Sequence, residues 1–150
     1  MVERDRERLF LDASVLVAGA ISPPGGSGYI LLLGEMGSLD ILVCEQVLVE
    51  TRRALAKKAP RALPEFERII QAVKPQVCPE PTLAEIAYCR EIIHPDDAPI
   101  LATAMKATPA SLITLNTHHF IDDPHVAQKS RLRIETPGTY LVRLRQRLAE

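Results

Sequence analysis

Asp12 stands between two apolar stretches, Leu9-Phe10-Leu11 before it and Val15-Leu16-Val17 after it. A short, continuous apolar run reads as a strand buried on both faces, as in a parallel sheet. A carboxylate near the carboxyl end of such a strand is expensive unless it is paired, hydrogen-bonded or bound to a metal. Capping of the following turn is the alternative use. Asp97 is the sharper case. On a helical wheel it is surrounded by Ile100, Leu101, Ala104 and Met105, so it faces the core at the start of a helix whose first turn also accepts Pro99. Its neighbour Asp96 falls at the edge of that face, and either acid can serve as a helix-start signal. Glu50 lies at the flank of a third apolar stripe, between Val47 and Ala54; alone it reads as a solvated glutamate. Asn116 follows the apolar run Leu112-Ile113-Thr114-Leu115 and serves equally as a turn residue. Taken together, these are hard oxygen donors from separate elements. They suit Mg²⁺ or Mn²⁺, which take carboxylate and amide oxygens together with water. Such a site neutralises the carboxylates, holds a phosphate oxygen and activates a water, with one metal or with two.

Positioning these residues requires an alternation of strands and helices. Ile41 to Cys44 reads as a second strand, and a short strand is predicted at Val77-Cys78. Ser111 to Leu115 and Leu132 to Ile134 complete the set. Helices are predicted over Tyr29 to Met36, ended by Gly37, and over Glu45 to Ala59, stopped by Pro60. A third covers Pro64 to Lys74, and a fourth starts at Thr82, where Glu85 completes a capping box, and runs towards Ile92. Asp96 to Ala107 and a C-terminal helix within 137–150 follow, with a helical turn at Thr117 to Ile121. Pro23 to Gly28 is a loop by its turn chemistry, without the ending of a phosphate-binding P-loop. The order predicts one α/β domain over 1–150, a mostly parallel sheet flanked by helices, with a charged lead-in at 1–8. In open sheets of this kind ligands bind beyond the carboxyl ends of the strands.

Composition excludes several classes. The 150 residues suit one core, 47% hydrophobic and 25% charged, and the net charge of −1 carries no whole-chain basic signature for nucleic acid. The three cysteines, Cys44, Cys78 and Cys89, have neither C-x-x-C nor zinc spacing and read as small buried hydrophobes. His94, His118, His119 and His125 lack an H-E-x-x-H pattern and no Cys lies at ligand spacing, so loop histidines are expected, with contact to substrate the alternative for His119. Ser14 has no G-x-S-x-G context. An aspartyl-nucleophile phosphotransfer reading of Asp12 wants a second Asp two residues on, where Ser14 stands. The charged N-terminus and the lack of a long apolar run predict a soluble, cytoplasmic protein with no membrane role. Basic residues gather at Arg52, Arg53, Lys57 and Lys58, and again at Lys129, Arg131, Arg133, Arg143, Arg145 and Arg147. Solvated helix surface accounts for most of them. Arg53 and Lys57 share the flank of Glu50 and are the better candidates for phosphate contacts.

The ordered set of segments resembles the PIN-domain nucleases, including VapC-like toxins. Leu9-Phe10-Leu11-Asp12-Ala13-Ser14-Val15-Leu16 resembles the family's first strand with its acidic ligand. Cys44 to Glu50 resembles the strand-to-helix segment that ends on the second acid, and Asp97 to Ala104 the helix opening with the third. Leu112 to Asn116 resembles the strand bearing the fourth polar position, and His119-Phe120 the sequence that follows it. The resemblance covers nearly the whole chain. It implies a PIN-like, Rossmann-like three-layer fold and divalent-metal cleavage of RNA, with Asp12, Glu50 and Asp97 as metal ligands and Asn116 as the fourth site residue. Ser14 and Asn116 would orient water or phosphate, and Thr114, Arg53 and Lys57 would contact substrate. It also implies Mg²⁺ or Mn²⁺ as cofactor, a cognate antitoxin and a homodimer. Two departures stand out: Ala110 where many members carry Asp, and the neutral Asn116 where Asp is common. They motivate a rival reading, a degenerate PIN domain that binds RNA or protein without cutting.

Overall fold

The computed structural model describes residues 6–150. Strands are β1 (Glu7–Leu11), β2 (Leu39–Val43), β3 (Gln76–Val77), β4 (Ser111–Ile113) and β5 (Ile134–Glu135). Helices are α1 (Ala13–Ile21), α2 (Gly26–Glu35), α3 (Glu45–Lys58), α4 (Leu63–Val73), α5 (Leu83–Arg90), α6 (Ala98–Ala107), α7 (Thr117–Phe120), α8 (Pro124–Ser130) and α9 (Pro137–Leu148). Single 3₁₀ turns at Pro60–Ala62 and Pro95–Asp97 precede α4 and α6.

The five strands form one all-parallel sheet in the order β3-β2-β1-β4-β5. The chain lays down β1, β2 and β3 outward on one side, then crosses back to add β4 and β5 on the other. The order therefore reverses between β1 and β4, where Leu11 lies opposite Ile113. Connections between parallel strands are right-handed, so this reversal puts successive helices on opposite faces and opens a crevice at the strands' carboxyl ends. Leu9, Phe10, Leu42, Val43, Leu112 and Ile113 are fully buried, which is why these strands are apolar at every position rather than at alternate ones.

Several local expectations hold in detail. Thr82 and Glu85 form the reciprocal capping box at the start of α5. Gly37 sits at φ +79° just beyond α2, the left-handed conformation that a helix stop there requires. Other expectations are corrected. The first strand ends at Leu11; Val15, Leu16 and Val17 belong to α1. Short apolar runs do not distinguish a buried strand from a buried helix, and Asp12 is the switch: its Oδ1 accepts the Ala13 N–H at 2.8 Å and caps α1. The loop expected to reach Gly28 ends at Gly25, because α2 begins at Gly26. Gly28 is small for a packing reason: a Cβ there would lie 2.0 Å from the Pro23 carbonyl oxygen. Helix α8 was not anticipated. Of the charged lead-in at 1–8, residues 1–5 lie outside the described residues. Glu7 and Arg8 are already in β1, where Glu7 accepts the Tyr140 hydroxyl at 2.6 Å.

Among the described residues no single helix is long and apolar enough to cross a membrane. Cys44, Cys78 and Cys89 are buried and unpaired, and burial raises each thiol pKa, as expected of inert packing residues.

Candidate active site

Asp12 follows the central strand at the point where the strand order reverses. The residue is almost fully buried, 5% exposed, and three donors converge on its carboxylate. Besides the Ala13 amide on Oδ1, Oδ2 accepts the Ser14 hydroxyl at 2.9 Å and the Thr114 hydroxyl at 2.8 Å. Thr114 comes from just beyond β4, so this bond ties together the two strands that flank the crevice. Both hydroxyls are fixed from behind: Ser14 Oγ accepts the Leu115 N–H at 3.0 Å, and Thr114 Oγ1 accepts the Asn116 N–H at 3.0 Å. With their acceptor sides held by amides, their protons are directed at Asp12.

These three donors lower the Asp12 pKa, but burial outweighs them, and the negative charge of Asp97 adds to the upward push. Glu50, half-buried in the middle of α3, is raised as well. Burial is the leading cause; the Gln46 amide, 2.8 Å from Oε1, opposes it, and Asp12, Asp97 and Asp96 raise it further. Asp12, Glu50 and Asp97 thus sense one another's charge, although they arrive from three separate elements. No lysine or arginine forms an ion pair with any of the three among the described residues.

Asp97 closes the 3₁₀ turn ahead of α6. It makes no capping bond with its side chain; the carboxylate turns instead to His119, whose Nδ1 lies 2.5 Å from Oδ2. Asn116 caps α7, its Oδ1 accepting the His119 N–H at 3.3 Å, and this sets the height of the His119 ring over the site. His94 stacks on that ring with centroids 4.6 Å apart and planes 4° from parallel. One ligand-type atom from each of His94, Asp97 and His119 lies within 4.8 Å of the others.

The structure therefore joins Asp12, Ser14 and Thr114 by direct hydrogen bonds and brings Asp97 and Asn116 together through His119. Glu50 enters the same electrostatic field. Arg53 and Lys57 are exposed on α3, one and two turns along from Glu50. Arg52 is committed to Glu67 at 2.8 Å. In the C-terminal basic group, Arg143 holds the buried Glu135 and Arg147 holds Glu7. His94 and His119 are what sequence reasoning undervalued. The usable signal was the spacing Asn116-x-x-His119, which fits an N-cap and the amide it captures. Two surface depressions lie elsewhere, one along α9 at Gly138, Thr139 and Val142, the other beside Arg8, Gln76 and Cys78.

A sequence model of the PIN domain matches residues 8–118, some three quarters of the chain and every residue of the cluster but His119. The chain belongs to the PIN-domain family. PIN domains are generally nucleases. Among solved structures, this PIN domain is similar to PAE2754 from Pyrobaculum aerophilum, with a TM-score of 0.60 at 21% identity, covering 95% of this chain and 99% of that one. It is also similar to VapBC2 from Rickettsia felis, solved bound to a DNA fragment from its promoter, with a TM-score of 0.60 at 17% identity over 86% and 98% of the two chains. At these identities the likeness speaks for the fold. No curated protein matches the sequence.

Proposed function

We propose that this PIN domain is a divalent-metal-dependent endoribonuclease, the toxin of a cytoplasmic toxin–antitoxin pair. One observation carries the reading. Asp12 stands at the strand-order reversal, the charges of Asp12 and Asp97 act on Glu50 and that of Asp97 on Asp12, and burial with this repulsion holds Asp12 and Glu50 above the usual carboxylate pKa, while among the described residues no arginine or lysine forms an ion pair with any of the three. Like charges gathered without a cation call for one. The donors are hard oxygens, so the residues fit Mg²⁺ or Mn²⁺ better than zinc. Asp12, Glu50 and Asp97 would hold the ion, which supplies Lewis acidity towards phosphate and a more acidic water.

The remaining roles belong to the chain's own groups. Ser14 and Thr114 fix the rotamer of Asp12 through their hydroxyl protons. Asn116 orients His119, and His119 orients Asp97. Arg53 and Lys57 offer phosphate contacts along the backbone of an RNA lying over α3. Tyr29, Leu32 and Met36 leave an exposed apolar strip on and just beyond α2, a surface that supports the expected homodimer. A VapB-like antitoxin is the partner suggested by the fold shared with VapBC2.

Asn116 favours a second reading. Its carbonyl is used for capping and it carries no charge, so the site has three acids rather than four, as a degenerate RNA-binding domain would. Incubating a mixed single-stranded and structured RNA pool with Mg²⁺, Mn²⁺ or EDTA separates the two. Metal-dependent cutting supports the ribonuclease. Binding without cutting by the folded chain under every metal supports the degenerate domain.

A further inference from the structure

The stacked pair His94–His119 has no place in the roles above beyond the hold of His119 on Asp97. A metal site is the obvious use for two imidazoles and a carboxylate within 4.8 Å. The ring geometry opposes it. An ion bound to an imidazole nitrogen lies in the plane of that ring, about 2.0–2.1 Å away. Two rings stacked at 4.6 Å and only 4° from parallel have planes that do not meet at a common ion. The arrangement is that of stacked aromatic faces.

The pair is also built to stay in place. His119 is held in plane by Asp97 and through its backbone by Asn116. His118 leans against it at 40°, with centroids 5.2 Å apart. His94 is fixed in plane by the Asp96 N–H, which donates to its Nδ1 at 3.2 Å. Among the described residues His119 is the only ring stacked on His94, and the His94 side chain is 46% exposed. One face of His94 is therefore covered by His119, and nearly half of the side chain is exposed to solvent beside Asp97.

We infer that His94 is a base-stacking residue: its face away from His119 receives an unpaired nucleobase of the substrate, extending the His119–His94 stack by one ring and fixing the neighbouring phosphate over the acids. This rests on the ribonuclease reading and adds a preference to it. Aromatic faces, histidine included, take splayed-out bases from single strands, whereas a paired base inside a duplex has no free face to give.

The test uses the full chain with Glu50→Gln, which removes a proposed metal ligand so that binding can be read without turnover. Anisotropy is measured with a labelled single-stranded RNA pool and with the same pool as duplex. Two substitutions separate the roles of His94. His94→Asn keeps an acceptor for the Asp96 amide and removes the ring; His94→Phe keeps a ring and removes the nitrogens. Base stacking predicts single-strand affinity weakened roughly five- to tenfold by His94→Asn and restored by His94→Phe, with duplex affinity unchanged. Equal affinity for all three chains overturns the inference, and cutting of the pool by the wild-type chain alongside shows that the ribonuclease reading survives. Loss of affinity in both variants, with Mn²⁺ binding weakened in parallel, overturns it in favour of a histidine metal site. Neither cutting nor binding by chains with His94 intact overturns the ribonuclease reading and the stacking with it.

Discussion

Thr114→Val tests how the site is built. The two side chains are nearly the same shape, so the change removes a hydroxyl and little else. Thr114 is fully buried; its hydroxyl gives Asp12 a 2.8 Å bond and takes the Asn116 amide at 3.0 Å. A hydrogen bond to a charged group contributes about 1.5–3 kcal/mol. The orphaned Asn116 amide adds a cost of about 1 kcal/mol, the low end of the usual range, because Asn116 is only half-buried. The sum is about 2.5–4 kcal/mol, or roughly 5–15 °C in melting temperature for a domain of this size. Thr114 is also the strongest hydrogen-bond partner holding down the Asp12 pKa, so its loss moves that carboxyl further up and weakens any cation held there. Thr114→Ser is the control: it keeps the hydroxyl and loses one methyl, costing about 1 kcal/mol. Thermal melts with and without Mn²⁺ should rank wild type, Ser, then Val, with the smallest Mn²⁺ stabilisation in Val. A Val variant that melts above Ser and responds fully to Mn²⁺ would refute the reasoning.

Three further outcomes follow from the same contacts. Glu50 has a folded pKa above its ordinary 4.5, so its protonated form favours folding; that contribution is complete below 4.5 and is lost as pH rises through the raised folded value. In EDTA, wild type should lose stability relative to Glu50→Gln from pH 4.5 upward, and parallel melting-versus-pH curves would exclude this. Arg143→Met strips the buried Glu135, bound at 2.8 Å, of its cation, and because Arg143 is itself 29% exposed the expected cost is about 2–3 kcal/mol, below the usual range for a broken buried pair, read by urea unfolding with RNA cutting intact. The double variant Arg53→Ala, Lys57→Ala should bind RNA more weakly whatever its sequence and lower the salt dependence of binding; an unchanged salt slope removes both residues from the interface.

Much of the fold was legible because parallel strands buried on both faces write themselves as short apolar runs, as Ile41 to Val43 and Ser111 to Ile113 do, and because Thr82 and Gly37 carry unambiguous stop and start chemistry. Helix α1 was not, since Val15-Leu16-Val17 is equally apolar in either conformation and only the Asp12 cap decides. Asp97 could be found from its place on an apolar face. The work of Thr114 could not: it lies 102 positions from Asp12, and no local pattern reports a bond made across the sheet. For His119 the local cap from Asn116 was legible, but its bond to Asp97 was not, because that partner comes from a different element.

The account's central claim is that Asp12, Glu50 and Asp97 act as one unit. Groups that act as a unit are not additive: losing one costs nearly as much as losing all. The direct measurement is Mn²⁺-dependent RNA cleavage by Asp12→Asn, Glu50→Gln, Asp97→Asn and the triple variant, each checked for folding. The account predicts that every single variant falls close to the residual rate of the triple, at the level of wild type in EDTA. Single losses that multiply up to the triple, or a single variant cutting at the wild-type rate, would contradict it.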